Sequence, residues 1–353
     1  MKFAISVPLG AWHPFLPDCL ASLEAQKVDV EVALLDASGD PRVLELADQY
    51  SDLLTFRHHG PDDGQADAIA TGWENTSGDI LGWLNADDQL FPDALSQVLD
   101  VFKSYEEPDV VYGHSTILND DKAVTGYQYG VERPSERLAH AAIISQPSCF
   151  FKRSIEIRAG GLNRELHYTM DWDLLLRMHD VGGRFSFVDR PLSALLWSQN
   201  TKTASLNQQR RAEISRITEA RGAKNSPLKT KVGFGLQHAI DHAPKFVSRR
   251  MRSFLFGPTR TIFGVGADGL LSKDSTLYIH HFDTTSKSSL VLETEQPGHT
   301  FEVAVNGTIA ATETLGKSVR IVPELPLEPA KTYEVSIQHT DLKNAHLVSL
   351  SWF

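Results

Sequence analysis

Ser77-Gly78-Asp79-Ile80-Leu81-Gly82-Trp83-Leu84-Asn85-Ala86-Asp87-Asp88 is the stretch whose reading decides the fold. Ile80–Leu84 is a short apolar run that ends abruptly in an amide and two adjacent carboxylates. An apolar run of that length reads as a buried strand, and such strands belong to parallel sheets covered on both faces. Working back toward the N-terminus, the same unit recurs. Phe3–Val7 is an apolar run ended by Pro8, followed by Leu16, Cys19, Leu20 and Leu23 at helical spacing. Val30–Leu35 is a second strand, stopped by Asp36-Ala37-Ser38-Gly39. Asp40 before Pro41 reads as an N-cap with proline at the first helical position, and Val43, Leu44, Leu46, Ala47 and Tyr50 form the stripe of that helix. Leu53–Arg57 is a third strand and Gln65–Asn75 a third helix. Alternating strands and helices predict an α/β domain, mainly parallel, whose ligands gather beyond the carboxyl ends of the strands.

Downstream the rhythm loosens. Val110–Tyr112 reads as a strand, two short strands flank Asn119-Asp120-Asp121, a helix covers Trp172–His179, and Arg184–Val188 is a further strand. Residues 205–260 hold twelve basic side chains against three acidic ones, whereas the whole chain of 353 residues carries a net charge of -11. Apolar residues from Val232 to Leu255 are interleaved there at roughly helical intervals. The segment is either a helical linker with solvated arginines or a basic amphipathic surface that meets an anionic membrane. After Thr261 the pattern is all-β, with seven short strands in about 90 residues, as a β-sandwich requires. Asn306-Gly307, between Val-Ala-Val and Thr-Ile-Ala, is a two-residue hairpin signal. The expected domains are 1–204, a basic helical linker at 205–260, and a β-sandwich at 261–353.

The acidic balance argues against a general nucleic-acid binder, although charge distribution matters more than the total. Cys19 and Cys149 are too few for a disulfide framework and lack metal-ligand partners at short spacing, so both read as buried thiols of a reducing compartment. No apolar run approaches the roughly 18 residues of a membrane span, and the N-terminus is too short in its apolar stretch for a signal peptide. A cytoplasmic location is expected, peripheral at the inner face of the plasma membrane if residues 205–260 touch lipid.

Two adjacent aspartates at a strand's carboxyl end can hold a hard divalent cation whose shell is completed by phosphate oxygens and water. Such an ion neutralises a diphosphate and eases its departure. The plainer alternative is a loop whose aspartates cap a helix near Phe91-Pro92.

Gly64-Gln65-Ala66-Asp67-Ala68-Ile69, together with the Ser77–Asp88 stretch, resembles the donor-site signature of family 2 glycosyltransferases of the GT-A fold. Gln146-Pro147-Ser148-Cys149-Phe150-Phe151-Lys152-Arg153-Ser154, then Gly160-Gly161-Leu162-Asn163, then His167-Tyr168-Thr169-Met170-Asp171-Trp172-Asp173-Leu174 continue the likeness in order. It spans about residues 2 to 203 and leaves out the C-terminal strands. The resemblance implies an inverting transferase that uses Mg²⁺ or Mn²⁺ and moves a sugar from a nucleotide-sugar to a glycan or lipid-linked glycan acceptor in surface polysaccharide synthesis. It places Pro8 and Asp36 at the nucleotide, Gln65, Asp67 and Asn85 at the ribose or donor sugar, and Asp88 and Asp87 at the metal. Asp171 takes the position of the catalytic base; its other reading is an N-cap. Asp173, the second catalytic candidate, either meets the acceptor or an internal arginine. Trp172 and Gln146 fall on the acceptor side, with packing as the other role for Trp172.

One departure concerns the stretch Leu195-Leu196-Trp197-Ser198-Gln199-Asn200-Thr201-Lys202-Thr203, which lacks the histidine that many relatives carry near the diphosphate. A third protein ligand to the metal is then in doubt, and Lys202 is either a point charge for the diphosphate or a surface lysine. Two competing functions are a sugar nucleotidyltransferase, disfavoured because Ser6–Trp12 is no triphosphate-gripping loop, and a non-catalytic glycan-binding protein with a degenerate transferase domain.

Overall fold

The computed structural model describes residues 1–128, 130, 132, 138–139, 141–197, 207–220, 261–266, 271–280, 282, 288–294, 300–314, 318–321, 328–339 and 345–352. Lys202 and most of the basic segment, including 221–260, lie outside the described residues, so the membrane-facing reading of that segment does too.

The expected rhythm forms. Strands β1 (Phe3–Leu9), β2 (Val30–Asp36), β3 (Leu54–His59) and β4 (Ile80–Trp83) alternate with helices α1 (Leu16–Glu24), α2 (Pro41–Gln49) and α3 (Gln65–Glu74). All four strands are parallel and lie in the order β3-β2-β1-β4. Strand order therefore reverses at β1, and the carboxyl ends of β1 and β4 form the switch point at which an open α/β sheet binds ligands. Asp40 caps α2 by accepting from Arg42 N at 3.0 Å, and the Arg42 guanidinium beside it holds the Asp40 carboxyl down to about 2. Helix α3 packs closely on β1 because position 72 is glycine: a Cβ there would overlap Ser6 Oγ and approach Leu35.

At the amino end of the same strands, a buried carboxylate does the tying. Glu31, near the start of β2, accepts from Ser77 N at 2.5 Å, Gly78 N at 3.0 Å, Ser77 Oγ at 2.9 Å and Lys2 Nζ at 3.0 Å. It joins β2 to the chain that enters β4.

The chain continues through β5 (Gln89–Leu90), α4 (Ala94–Phe102), β6 (Val110–Leu118), β7 (Val124–Gln128), β8 (Cys149–Lys152), α5 (Arg153–Arg158), α6 (Met170–Asp180), β9 (Phe185–Leu196) and α7 (Gln208–Ala220). Strand β8 pairs antiparallel with both β4 and β6, and β5 pairs antiparallel with β9. The sheet is thus mainly parallel with an antiparallel margin. Strand β9 runs well beyond the expected Arg184–Val188, because Leu192–Leu196 are buried partners of the β5 region.

The described residues group into two compact units. One comprises Met1–Ser115, 130–195 and 207–220; the other comprises Thr116–Gln128, 196–197 and those from 261 onward. In the second unit, β10 (Thr261–Ile262) and β11 (Val265–Gly266) form a small hairpin. They are followed by β12 (Asp274–Ile279), β13 (Ser288–Thr294), β14 (Thr300–Val305), β15 (Thr308–Thr314), β16 (Ser318–Ile321), β17 (Tyr333–His339) and β18 (Ala345–Trp352). These are the seven strands read from the sequence. One antiparallel sheet has the order β12-β17-β14-β15, and a second antiparallel set runs β16-β13-β18-β7. Alternate residues Phe301, Val303, Val305 and Val335, Ile337 are buried, so each strand presents one face to a core. Asn306 and Gly307 both have positive φ, at 47° and 78°, as the tight hairpin between β14 and β15 demands. The β7 strand belongs here. Tyr127 Oη donates to Thr276 O at 3.2 Å and accepts from Tyr278 N at 2.8 Å.

Candidate active site

Pro8, Asp36 and Asn85, read as donor-site residues, stand at or just beyond the carboxyl ends of β1, β2 and β4. Pro8 is buried at the end of β1, and Asp36 ends β2 at 2% exposure. Asp36 Oδ1 accepts from Ser38 N at 2.8 Å and Ser38 Oγ at 2.5 Å, and Oδ2 lies 3.1 Å from His59 Nδ1. Asp36 thus caps the turn that follows β2, and the histidine at the end of β3 adds a partner that strand spacing did not reveal.

Asn85 is the hub. Its Oδ1 accepts from Gln65 Nε2 at 2.7 Å, and its Nδ2 donates to Asp88 Oδ2 at 3.0 Å and to Gln146 Oε1 at 3.4 Å. Gln146 in turn donates from Nε2 to Trp83 O at 2.7 Å. An amide suits this place because it can accept from one neighbour and donate to two others. Through it the start of α3, the loop after β4 and the turn before β8 become one hydrogen-bonded set. Gln146 was expected on the acceptor side, yet its side chain is spent joining these segments.

Asp88 is 5% exposed and Asp87 half-buried. Burial pushes the Asp87 carboxyl above its ordinary value, with His13 pulling the other way. Burial, then the charges of Asp88 and Asp87, push the Cys19 thiol up. Both cysteines are buried thiols, as read from the sequence. Among the described residues no group of three or more His, Cys, Asp or Glu is gathered to hold a metal by protein ligands alone. The oxygen-only set of Asp87 and Asp88 fits a hard cation that takes its other ligands from phosphate and water. A divalent charge would also relieve the burial cost that Asp87 carries.

Asp67 departs from its expected place at the donor. Its carboxylate pairs with Arg164 Nη1 at 2.5 Å, and the same guanidinium reaches Glu74 on α3. The pair fastens the 160s loop to the outside of α3.

Helix α6 carries the remaining candidates. Its N-cap position is Thr169, whose side chain makes no cap bond, and Asp171 is the second helical residue. The N-cap reading of Asp171 is therefore excluded. The charge of Asp171 raises the buried Cys149 thiol, second to burial itself, and the loop that leads to Asp171 borders the start of α3, where a Cβ at Gly64 would lie 3.6 Å from the His167 ring. Asp173, on another face of the same turn, is held by Arg177, with Nε at 2.9 Å and Nη2 at 2.8 Å from Oδ2. Arg177 also donates to Ala159 O and, at 2.7 Å, to Gly161 O. Of the two roles read for Asp173, the internal arginine is the one observed, and its carboxylate serves the loop before α6. Trp172 is 5% exposed, with Nε1 donating to Leu138 O at 2.6 Å. Of its two readings, stacking on an acceptor sugar and packing, this burial matches packing.

Sequence reading missed His13, His59, Arg210 and Glu213. His13 follows the first strand by only a few residues, so a search for basic groups in that loop would have found it. The others are brought in by the tertiary fold.

Residues 13–158 match the model of glycosyl transferase family 2. That match and the glycosyltransferases among the relatives make the protein a glycosyltransferase, an enzyme of glycan synthesis. It is 26% identical over 255 residues to the PGL/p-HBAD biosynthesis glycosyltransferase of Mycobacterium bovis (strain BCG / Pasteur 1173P2), covering 70% of this chain and 93% of that one. It is 25% identical over 214 residues to the chondroitin synthase of Pasteurella multocida (strain Pm70), covering 59% of this chain and 22% of the relative. The crystal structure of S. aureus TarS 1-349 in complex with UDP-GlcNAc shares its fold at a TM-score of 0.50 and 14% identity, over 73% of this chain and 93% of TarS 1-349.

Proposed function

We propose that the protein is an inverting transferase that moves a sugar from a nucleotide-sugar donor to a glycan or glycolipid acceptor, with Asp171 as general base. The observation that carries this reading is the convergence of Gln65, Asn85, Asp88 and Gln146 in one hydrogen-bonded set, with the loop that leads to Asp171 bordering Gly64, the residue before Gln65. A donor held over the ends of β1 and β4 then lies between the Asp87-Asp88 carboxylates and Asp171.

Pro8, Asp36 and His59 form the nucleotide end of the site, and Asn85 with Gln65 borders the sugar. Asp87 and Asp88 would hold Mg²⁺ or Mn²⁺, which supplies charge neutralisation for the departing diphosphate. Asp171 accepts the proton of an acceptor hydroxyl as its oxygen bonds to the anomeric carbon. The carbon–oxygen bond to the diphosphate breaks on the other side, its electron pair leaves with the nucleotide, and the anomeric centre inverts. The chondroitin synthase among the relatives supports an acceptor of the polysaccharide class.

The test is a panel of UDP- and GDP-sugars incubated with the full chain and Mn²⁺, with nucleotide release as readout. Turnover that EDTA abolishes is expected. If no sugar nucleotide is bound or turned over and EDTA changes nothing, the reading fails.

A further inference from the structure

Helix α7 lies beyond residues 13–158, the part that matches the family model, yet it is fastened to the loop that starts α6. Glu213, on α7, is 7% exposed. Its Oε1 accepts from His167 N at 3.1 Å, and its Oε2 accepts from Tyr168 N at 2.9 Å, Thr169 N at 3.1 Å and Thr169 Oγ1 at 3.0 Å. Three consecutive backbone N–H groups pointing at one carboxylate form a concave anion site. Here the chain fills that site with its own glutamate. A carboxylate buried this deeply persists only when such bonds satisfy it.

The attachment has a second point. Asn207 caps the first turn of α7, its Oδ1 accepting from Arg210 N at 2.9 Å, and its Nδ2 donates to Tyr168 Oη. Tyr168 is thus held through both its backbone and its phenol. Arg210 is half-buried on the same helix. Burial lowers its guanidinium below the ordinary value, and the charge that most opposes the drop is Asp171. Helix α7 is thus bonded to the three residues before the first turn of α6, which carries Asp171.

Thr169 is the N-cap of α6, but its hydroxyl goes to Glu213 instead of the helix's own N–H groups. The first turn of α6 takes its position from another helix. We propose that Glu213 is a positioning residue for sugar transfer, setting through the His167–Thr169 backbone where α6 presents Asp171. This inference rests on Asp171 being the base.

The experiment compares the full-length wild type with Glu213→Gln, Glu213→Ala and Asp171→Asn. The donor is whichever UDP- or GDP-sugar of the panel the wild type turns over with Mn²⁺. Three quantities are read: kcat, the Kd of the corresponding nucleoside diphosphate by calorimetry, and the thermal midpoint. Displacing a reacting group by about 1 Å costs on the order of 100-fold in rate, so kcat is expected to fall ~10-fold in Glu213→Gln and ~100-fold in Glu213→Ala. Nucleotide Kd and donor KM stay within about twofold of wild type, since the groups that bind the donor are untouched. Glu213→Gln keeps the shape and one acceptor oxygen, and it carries the test if the alanine variant does not fold. Wild-type kcat in both Glu213 variants beside an inactive Asp171→Asn overturns the role of Glu213 and leaves the base assignment standing. A parallel fall of kcat, nucleotide affinity and thermal midpoint also overturns it, since Glu213 would then only stabilise the fold. Full turnover by Asp171→Asn removes the base assignment, and the positioning role with it.

Discussion

Glu31 and Glu213 are two buried glutamates that use the same chemistry at opposite ends of the first unit. Each gathers adjacent backbone N–H groups and a hydroxyl, Ser77 and Gly78 for one, His167 to Thr169 for the other. Glu31 sits at the amino end of the parallel strands, where no ligand is expected, and it also holds Lys2. Glu213 sits against the turn that leads to Asp171. An identical device is structural at one end and, on our reading, functional at the other. What differs is the loop it restrains. In parallel α/β sheets the carboxyl ends carry the ligands and the amino ends carry the stability.

That comparison can be broken or sharpened by substitution. The largest effect is expected at the carboxyl end: Asp171→Asn should cut kcat ~10²- to 10⁴-fold, the usual contribution of a positioned base, with nucleotide affinity unchanged. Steady-state transfer rates alongside UDP and GDP titrations check this. Next, Asp88→Asn should weaken activation by Mn²⁺ roughly 100-fold while the fold keeps its thermal midpoint. A metal titration of activity decides it, and an unaltered activation curve would remove Asp88 from the metal site.

At the amino end the pattern should invert. Glu31→Gln leaves buried donors with a poorer partner, which costs about 1–3 kcal/mol of stability, and it should leave kcat alone. Burial works to raise the Glu31 carboxyl, but the Lys2 ammonium and the Ser77 bonds outweigh it and hold the group below its ordinary value. A depressed folded value means stabilisation is fully present above the unfolded value of about 4.3. It is lost as pH falls through the folded value. Urea unfolding of wild type and variant should therefore show a constant gap at neutral pH that closes under acid. A gap that widens on acidification contradicts the assignment. The smallest effect is expected at the nucleotide: His59→Ala removes one partner of Asp36 and should weaken nucleoside diphosphate binding by roughly 2- to 10-fold, the scale of one hydrogen bond.

Much of the first unit is legible in the residues. The runs Phe3–Leu9, Val30–Asp36 and Ile80–Trp83 are apolar enough to be buried on both faces, and Asp40-Pro41 announces a helix start. Asn85 to Asp88 could be placed at a strand's carboxyl end for the same reason. Partners appeared when side chains met: Asp67 found Arg164, Trp172 found Leu138, and Asp173 found Arg177, the internal arginine being one of the two roles read for it. A carboxylate or an indole is equally compatible with ligand binding and with internal pairing, and only the position of the partner separates the two.

The sequence by itself determined the periodic features: strand and helix alternation, the two helix and hairpin signals at Asp40-Pro41 and Asn306-Gly307, and the acidic end of β4. These follow from preferences within a few residues, because backbone geometry and side-chain period are local properties. Only the tertiary structure decided which donors converge on Glu213 from 44 to 46 residues away. It also decided that Thr116–Gln128 joins the C-terminal strands and that Asn85 is wired to both Gln65 and Gln146. Such pairings are chosen by the requirement that every buried polar group find a partner, and that requirement is met in three dimensions, where spacing along the chain carries no information.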